Sequence, residues 1–109
     1  MYVYDEANNL AKAIQESKEY EEYKKAKEDI ASNQELKAKI DDFEKIRYDL
    51  QAMAFQGKDD PEKMKKLQEM YKILNEDKQI KNYFDIEVRF NILLADVNKI
   101  ISESVKDLL

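Results

Sequence analysis

In 109 residues this chain contains one Gly and one Pro. The tight turns that join β-strands rely on residues that tolerate positive φ or arrive with φ already fixed, and those two types supply both at least cost. Average usage would give roughly a dozen of them in a chain of this length, so a sheet architecture has almost nothing to turn with. The expectation is an all-α fold. The 43% apolar and 39% charged residues must then be sorted onto opposite faces of helices if a core is to form, and the length suits a single helical domain over residues 1–109.

The missing residue types narrow the function. Without Cys there is no disulfide, thiolate nucleophile, Cys-ligated zinc or cysteine-held cluster, and without His the commonest general base and metal ligand are gone. The formal charge of −5 opposes a dedicated nucleic-acid binder, whose footprint is a basic face. No enzyme is expected, and no catalytic residue, metal site or cofactor is assigned. Residues 1–10 carry Asp5 and Glu6 where a secretory signal needs positive charge. The most apolar stretch, residues 90–101, is interrupted by Asp96 and Lys99 and is too short to span a bilayer. The chain is expected in the cytoplasm, away from membranes.

Punctuation and periodicity predict about five helices. The first opens near Asp5, runs to about Ser17, and spaces Val3, Ala7, Leu10 and Ile14 as one buried stripe. Ser17 caps a second helix, with Tyr20, Tyr23, Lys27 and Ile30 on one side, which breaks at Ser32 and Asn33. The third, about 34–56, is capped by Asn33, carries the stripe Leu36, Ile40, Phe43, Ile46, Leu50, Met53 and Ala54, and ends at Gly57. Asp60 and Pro61 supply the cap and first residue of the fourth, whose inner face reads Met64, Leu67, Met70, Tyr71 and Leu74. After Asn75-Glu76-Asp77 the fifth runs over about 78–108, with Ile80, Tyr83, Ile86, Phe90, Leu93, Leu94, Val97, Ile100, Ile101 and Leu108 inward. At 1.5 Å per residue it would be roughly 45 Å long, whereas a compact globule of this size is only about 35 Å across. An elongated bundle with two long helices follows.

A small bundle needs one buried stripe per helix, and these long helices have more. On a helical wheel Phe84, Val88, Ile92 and Ala95 lie opposite Phe90, Leu93 and Val97, while Tyr48, Ala52 and Phe55 lie away from Phe43, Leu50 and Ala54. Either the fifth helix is central and enclosed on both sides by its own chain, or these seven residues meet another subunit, since contiguous exposed apolar surface marks interfaces. The overhang favours self-association, with a dimer the simplest form, and a different protein partner is the other occupant of such a face.

Other patterns point to a solvated exterior. Charges interleave at i, i+4, with Glu35 set to pair with Lys39, Asp41 with Lys45 and Glu62 with Lys66. Asp41 and Asp42 diverge by about 100° on a helix, so they do not converge on one site. A weak, salt-sensitive RNA contact through Lys-rich faces is the alternative function. A small helical secretion substrate or chaperone is a third, but its Trp-x-Gly turn cannot occur in a chain without Trp. Of the seven Tyr, Tyr20, Tyr23, Tyr71 and Tyr83 suit core edges, and Tyr2 and Tyr4 are placed to meet a partner.

Taken together, Tyr4–Ile14 (YDEANNLAKAI), Tyr23–Ala26 (YKKA), Leu36–Phe43 (LKAKIDDF), Gln51–Met53 (QAM) and Phe90–Val97 (FNILLADV) resemble the YlbF/YmcA/YheA family of small bacterial helical proteins, most of all its YheA-like branch. The resemblance covers nearly the whole chain in order. It implies an all-helical fold that self-associates and a regulatory or adaptor role, since YlbF and YmcA members act in a complex influencing competence, sporulation, biofilm formation and RNA processing. Members of that complex use Cys in iron–sulfur binding, and this chain departs from them in having none. Gln34 stands where relatives often place Pro at the first helical position.

Overall fold

The computed structural model describes residues 1–109 and contains five α-helices: α1 (Val3–Gln15), α2 (Lys18–Ala31), α3 (Gln34–Phe55), α4 (Pro61–Leu74) and α5 (Lys78–Ser104). The architecture is an all-α bundle, as expected. The chain divides into two compact units, residues 1–27 with 83–109, and residues 28–82, so that α2 and α5 each contribute to both.

The helix boundaries follow from local hydrogen bonding. Ser17 serves two helices at once: its Oγ donates to the Ile14 carbonyl at 2.6 Å and accepts from the Tyr20 N–H at 3.1 Å. Asn33 caps α3 by accepting from the Leu36 N–H at 3.2 Å, and Asp60 caps α4 through the Lys63 N–H at 3.0 Å. The Asp77 carboxylate accepts from the N–H groups of Gln79 and Ile80 at the start of α5. Each cap satisfies donors that the first helical turn leaves without partners. At the end of α3, Gly57 has φ of 71°. Its N–H donates to the Ala54 carbonyl, and that of Lys58 reaches back to Met53 at 2.9 Å, the pair of bonds that closes a Schellman motif.

Within residues 28–82, α3 and α4 form an antiparallel hairpin. Asp49 faces Lys63 at 3.7 Å and, six residues earlier on α3, Phe43 meets the ring of Tyr71 at 5.9 Å. Ile30, Leu36, Ile40, Phe43, Leu74 and Ile80 are buried here. In the other unit α2 runs antiparallel to α5: Tyr20 lies against Phe90, and Tyr23 lies against both Phe90 and Tyr83. Ala26, Tyr83, Phe84 and Ile86 are buried with them.

Four expectations need correction. Of the inner residues expected on α3 and α4, Ala54, Met64 and Tyr71 are exposed, and Leu74 is the one buried residue of α4. α1 begins at Val3 rather than near Asp5, and Tyr2 at its N-cap position makes no side-chain capping bond; Asp5 and Glu6 instead occupy the first turn, where carboxylates favour the positive end of the helix dipole. The α1 stripe of Val3, Ala7, Leu10 and Ile14 is not buried, since no residue of α1 is. α5 ends at Ser104, short of Leu108, and its expected inner residues Ile100, Ile101 and Leu108 are exposed. Periodicity identifies a stripe that wants cover but does not say whether the same chain provides it.

Candidate protein-contact surfaces

The seven residues singled out for a second apolar face fall on both long helices, and six of them reach the surface. On α3, Tyr48 is 72% exposed and Phe55 is 95% exposed, with Ala52 also exposed between them. Phe55 borders a shallow hollow with Gln51 and Ala54. On α5, Val88 and Ile92 are 52% and 54% exposed, and Ala95 is exposed. Phe84 is the exception at 3%. It belongs to the core of its own unit, where the Tyr83 ring lies 5.8 Å away, and is removed from the candidate surface. The wheel placed it correctly beside Val88, but a helical face can pass from covered to open within one turn.

The exposed pairs therefore define one patch in each unit. Three of the exposed charge pairs are helical neighbours: Lys37 with Asp41 at 2.7 Å, Glu35 with Lys39 at 3.3 Å and Lys18 with Glu22 at 3.7 Å. Asp41 thus pairs one turn back, with Lys37 instead of Lys45. Such exposed pairs contribute at most about 1 kcal/mol and dress the helices for water. Within residues 28–82 a groove of about 250 Å³ has the buried Leu74 and Ile80 in its floor and the exposed Asp42 and Asp77 at its rim. Ile73, 66% exposed, also borders this groove; its position beside Lys72 on a polar flank gave no periodic signal.

A buried polar contact sits between α2 and α5. The Tyr23 hydroxyl donates to Oε2 of Glu87 at 2.9 Å, and Glu87 is 7% exposed. Burial raises the Tyr23 pKa far above the ordinary phenol value, with hydrogen bonds to Tyr83 and Glu87 adding to it. Asp60 and Asp77 are used as caps and Asp41 as an ion-pair partner, so these carboxylates have structural work. No helix is long and apolar enough to cross a membrane.

Two antiparallel helix pairs, α3 with α4 and α2 with α5, preceded by an α1 without a buried residue, define the class of small all-α proteins. Residues 3–106 match the model of the family described as "Control of competence regulator ComK, YlbF/YmcA", and the chain belongs to that family. It is 39% identical over 104 residues to a UPF0342 protein of Symbiobacterium thermophilum, covering 94% of this chain and 93% of that one. A UPF0342 protein of Caldicellulosiruptor bescii is 34% identical over 105 residues, covering 95% and 88%. Among solved structures, a protein of unknown function (DUF964) from Bacillus stearothermophilus superposes with a TM-score of 0.84 at 19% identity, covering 97% of this chain and 94% of that one. Bacillus subtilis RicA, solved in complex with RicF, gives a TM-score of 0.62 at 23% identity, covering 96% and 94%. Both structures share the fold.

Proposed function

We propose that this chain is a non-enzymatic helical adaptor of the cytoplasm. It self-associates, in the simplest case as a dimer, and engages a further protein of a regulatory complex through Tyr48, Ala52 and Phe55 on α3 and Val88, Ile92 and Ala95 on α5. The observation that carries this reading is the exposure of Val88 and Ile92 on a helix whose opposite face already supplies a core. Leaving such side chains in water forgoes about 1.5–3 kcal/mol for each one fully buried, which a partner recovers. Membership of a family described by control of a competence regulator supports a regulatory role, and the solved complex of RicA with RicF supports action by protein-protein contact. Competence, sporulation, biofilm formation or RNA processing are the processes in which such an adaptor would act.

Two measurements test this. The mass of the purified chain in solution is expected at a multiple of 13.0 kDa. Photo-cross-linkers placed at Ile92 and Phe55 in the native cell are expected to capture protein, and a folded Ile92→Asp variant to lose the capture made from Phe55 or Val88 in the same assembly. A monomer that cross-links to no protein overturns the adaptor. Retention of RNA that falls steeply with salt would replace it with the Lys-face reading.

A further inference from the structure

The groove bordered by the first half of α3, the end of α4 and the start of α5 contains none of the residues assigned above to partner contact. Its α4 wall presents Met70, Ile73 and Leu74 at three- and four-residue spacing, so one apolar helical face runs along it. Ile80 closes the floor, and Ile73 stands 66% exposed on the wall. An exposed isoleucine alone needs no explanation. Here it borders an open apolar hollow, and the two together make a seat for an incoming side chain. At about 250 Å³ the hollow falls below the roughly 300–1,000 Å³ of sites for drug-sized ligands. It suits one or two side chains, as the pockets under interface anchors do. The flexible thioether of Met70 lets the wall adapt to what it receives.

The rim sets the sign of the occupant. Three charged residues border the groove, Lys39, Asp42 and Asp77. Lys39 is held by Glu35 at 3.3 Å, so its charge is answered within α3. Asp42, exposed one turn along, takes part in no ion pair. Asp77 uses Oδ1 for the N–H groups of both Gln79 and Ile80, and its side chain remains exposed. We propose that this groove receives a basic amphipathic segment of a different protein. An aliphatic side chain of that segment sits against Met70, Ile73 and Leu74, and a Lys or Arg within one helical turn of it reaches Asp42 or Asp77. Nucleic acid and anionic lipid bring phosphates to a carboxylate rim and are repelled. A second copy, with a formal charge of −5, brings the same sign. The proposal goes beyond the adaptor read above, since it fixes the charge of a partner and uses none of the α3 and α5 patch residues.

The probe is a short fluorescein-labelled helical peptide with Leu at i, i+3, i+4 and i+7 and Lys elsewhere, compared with the same peptide carrying Glu for Lys. Fluorescence polarisation with the full chain is expected to show saturable binding of the Lys peptide that weakens with salt, and none of the Glu peptide. Ile73→Ala is expected to weaken the Lys peptide about tenfold and Asp42→Asn about threefold. Both positions are exposed, so the variants are expected to fold as the wild type does. Glu16→Gln removes the same charge from the other unit and is expected to change affinity by less than about twofold. A wild type that binds neither peptide, or binds both alike, overturns the proposal. So does a loss in Glu16→Gln equal to that in Asp42→Asn, which reports diffuse attraction to an acidic chain. Backbone amide shifts locate the seat, and on adding the peptide they are expected to move at residues 39–42 and 70–80. Shifts there that follow protein concentration without peptide put a second copy in the groove and overturn the basic partner. Each of these failures leaves the contacts expected at Ile92 and Phe55 standing.

Discussion

The hydroxyl of Tyr23 on α2 donates to the carboxylate of Glu87 on α5 at 2.9 Å, and the two residues lie 64 positions apart in the chain. The Tyr23 ring also lies against Phe90 and Tyr83, so one side chain joins the helices by an apolar body and a polar tip. Glu87 is the one charged side chain in the core. Removing a donor from a buried carboxylate leaves a desolvated acceptor less well satisfied, at about 1–3 kcal/mol. Tyr23→Phe is expected to lower unfolding stability by that amount in urea. Glu87→Gln keeps an acceptor for the phenol without burying a charge and is expected to cost less. Equal midpoints for wild type and Tyr23→Phe would show that the bond contributes nothing net.

The same phenol makes an alkaline prediction. Its pKa is raised in the folded chain by burial and by its bonds to Tyr83 and Glu87, above the value of about 10 expected when unfolded. Folding therefore retains a proton that the unfolded chain releases, so the stabilising contribution is complete below pH 10 and is lost progressively as pH rises beyond it. Tyrosinate absorbance of the native chain should fall short of the full seven rings at pH 11, the deficit appearing on addition of denaturant. Tyr23→Phe should reduce the deficit. A native titration that already reaches the denatured amplitude there would contradict the burial argument.

Phe84 and Val88 stand one helical turn apart, and the structure gives them opposite fates. Phe84→Ala empties a core position and is expected to cost about 3–5 kcal/mol. Val88→Asp sits on the open part of the face and is expected to change the stability of the isolated chain by no more than about 0.5 kcal/mol, while weakening contact with a partner. Thermal melts of both variants separate the two positions, and comparable losses would place Val88 in the core as well.

This contrast shows where the sequence was informative. Caps at Ser17, Asn33 and Asp60 and the stop at Gly57 depend on chemistry within four residues, so the helix boundaries they set were readable directly. The stripe Leu36, Ile40 and Phe43 was readable because helical period alone places it. What α1 and the end of α5 lacked was a covering layer, and Val3, Leu10, Ile100 and Ile101 have the same spacing with or without one. The Tyr23 to Glu87 bond was invisible for a related reason: Glu87 sits among apolar residues with nothing in its own helix to mark a phenol arriving from α2.

Gly57 offers the sharpest test of local control. Its φ of 71° lies in the left-handed region, and a Cβ built there meets nothing within 4 Å. Substitution therefore introduces no clash with the rest of the chain, only the backbone penalty of roughly 1–2 kcal/mol that a side chain meets in this region. Gly57→Ala is expected to lower stability by about that much, with Gly57→Asn costing less because Asn tolerates the left-handed conformation. Asp60→Ala, three residues on, removes the bond to the Lys63 N–H and should cost about 1 kcal/mol. Because Gly57 closes α3 and Asp60 opens α4, the two act on different helix ends, but they share one short loop. The double variant is expected to fall short of additivity if the loop rearranges once either end is released. Urea midpoints for the two single variants and the double variant decide it, and strict additivity would show that each helix end is held independently.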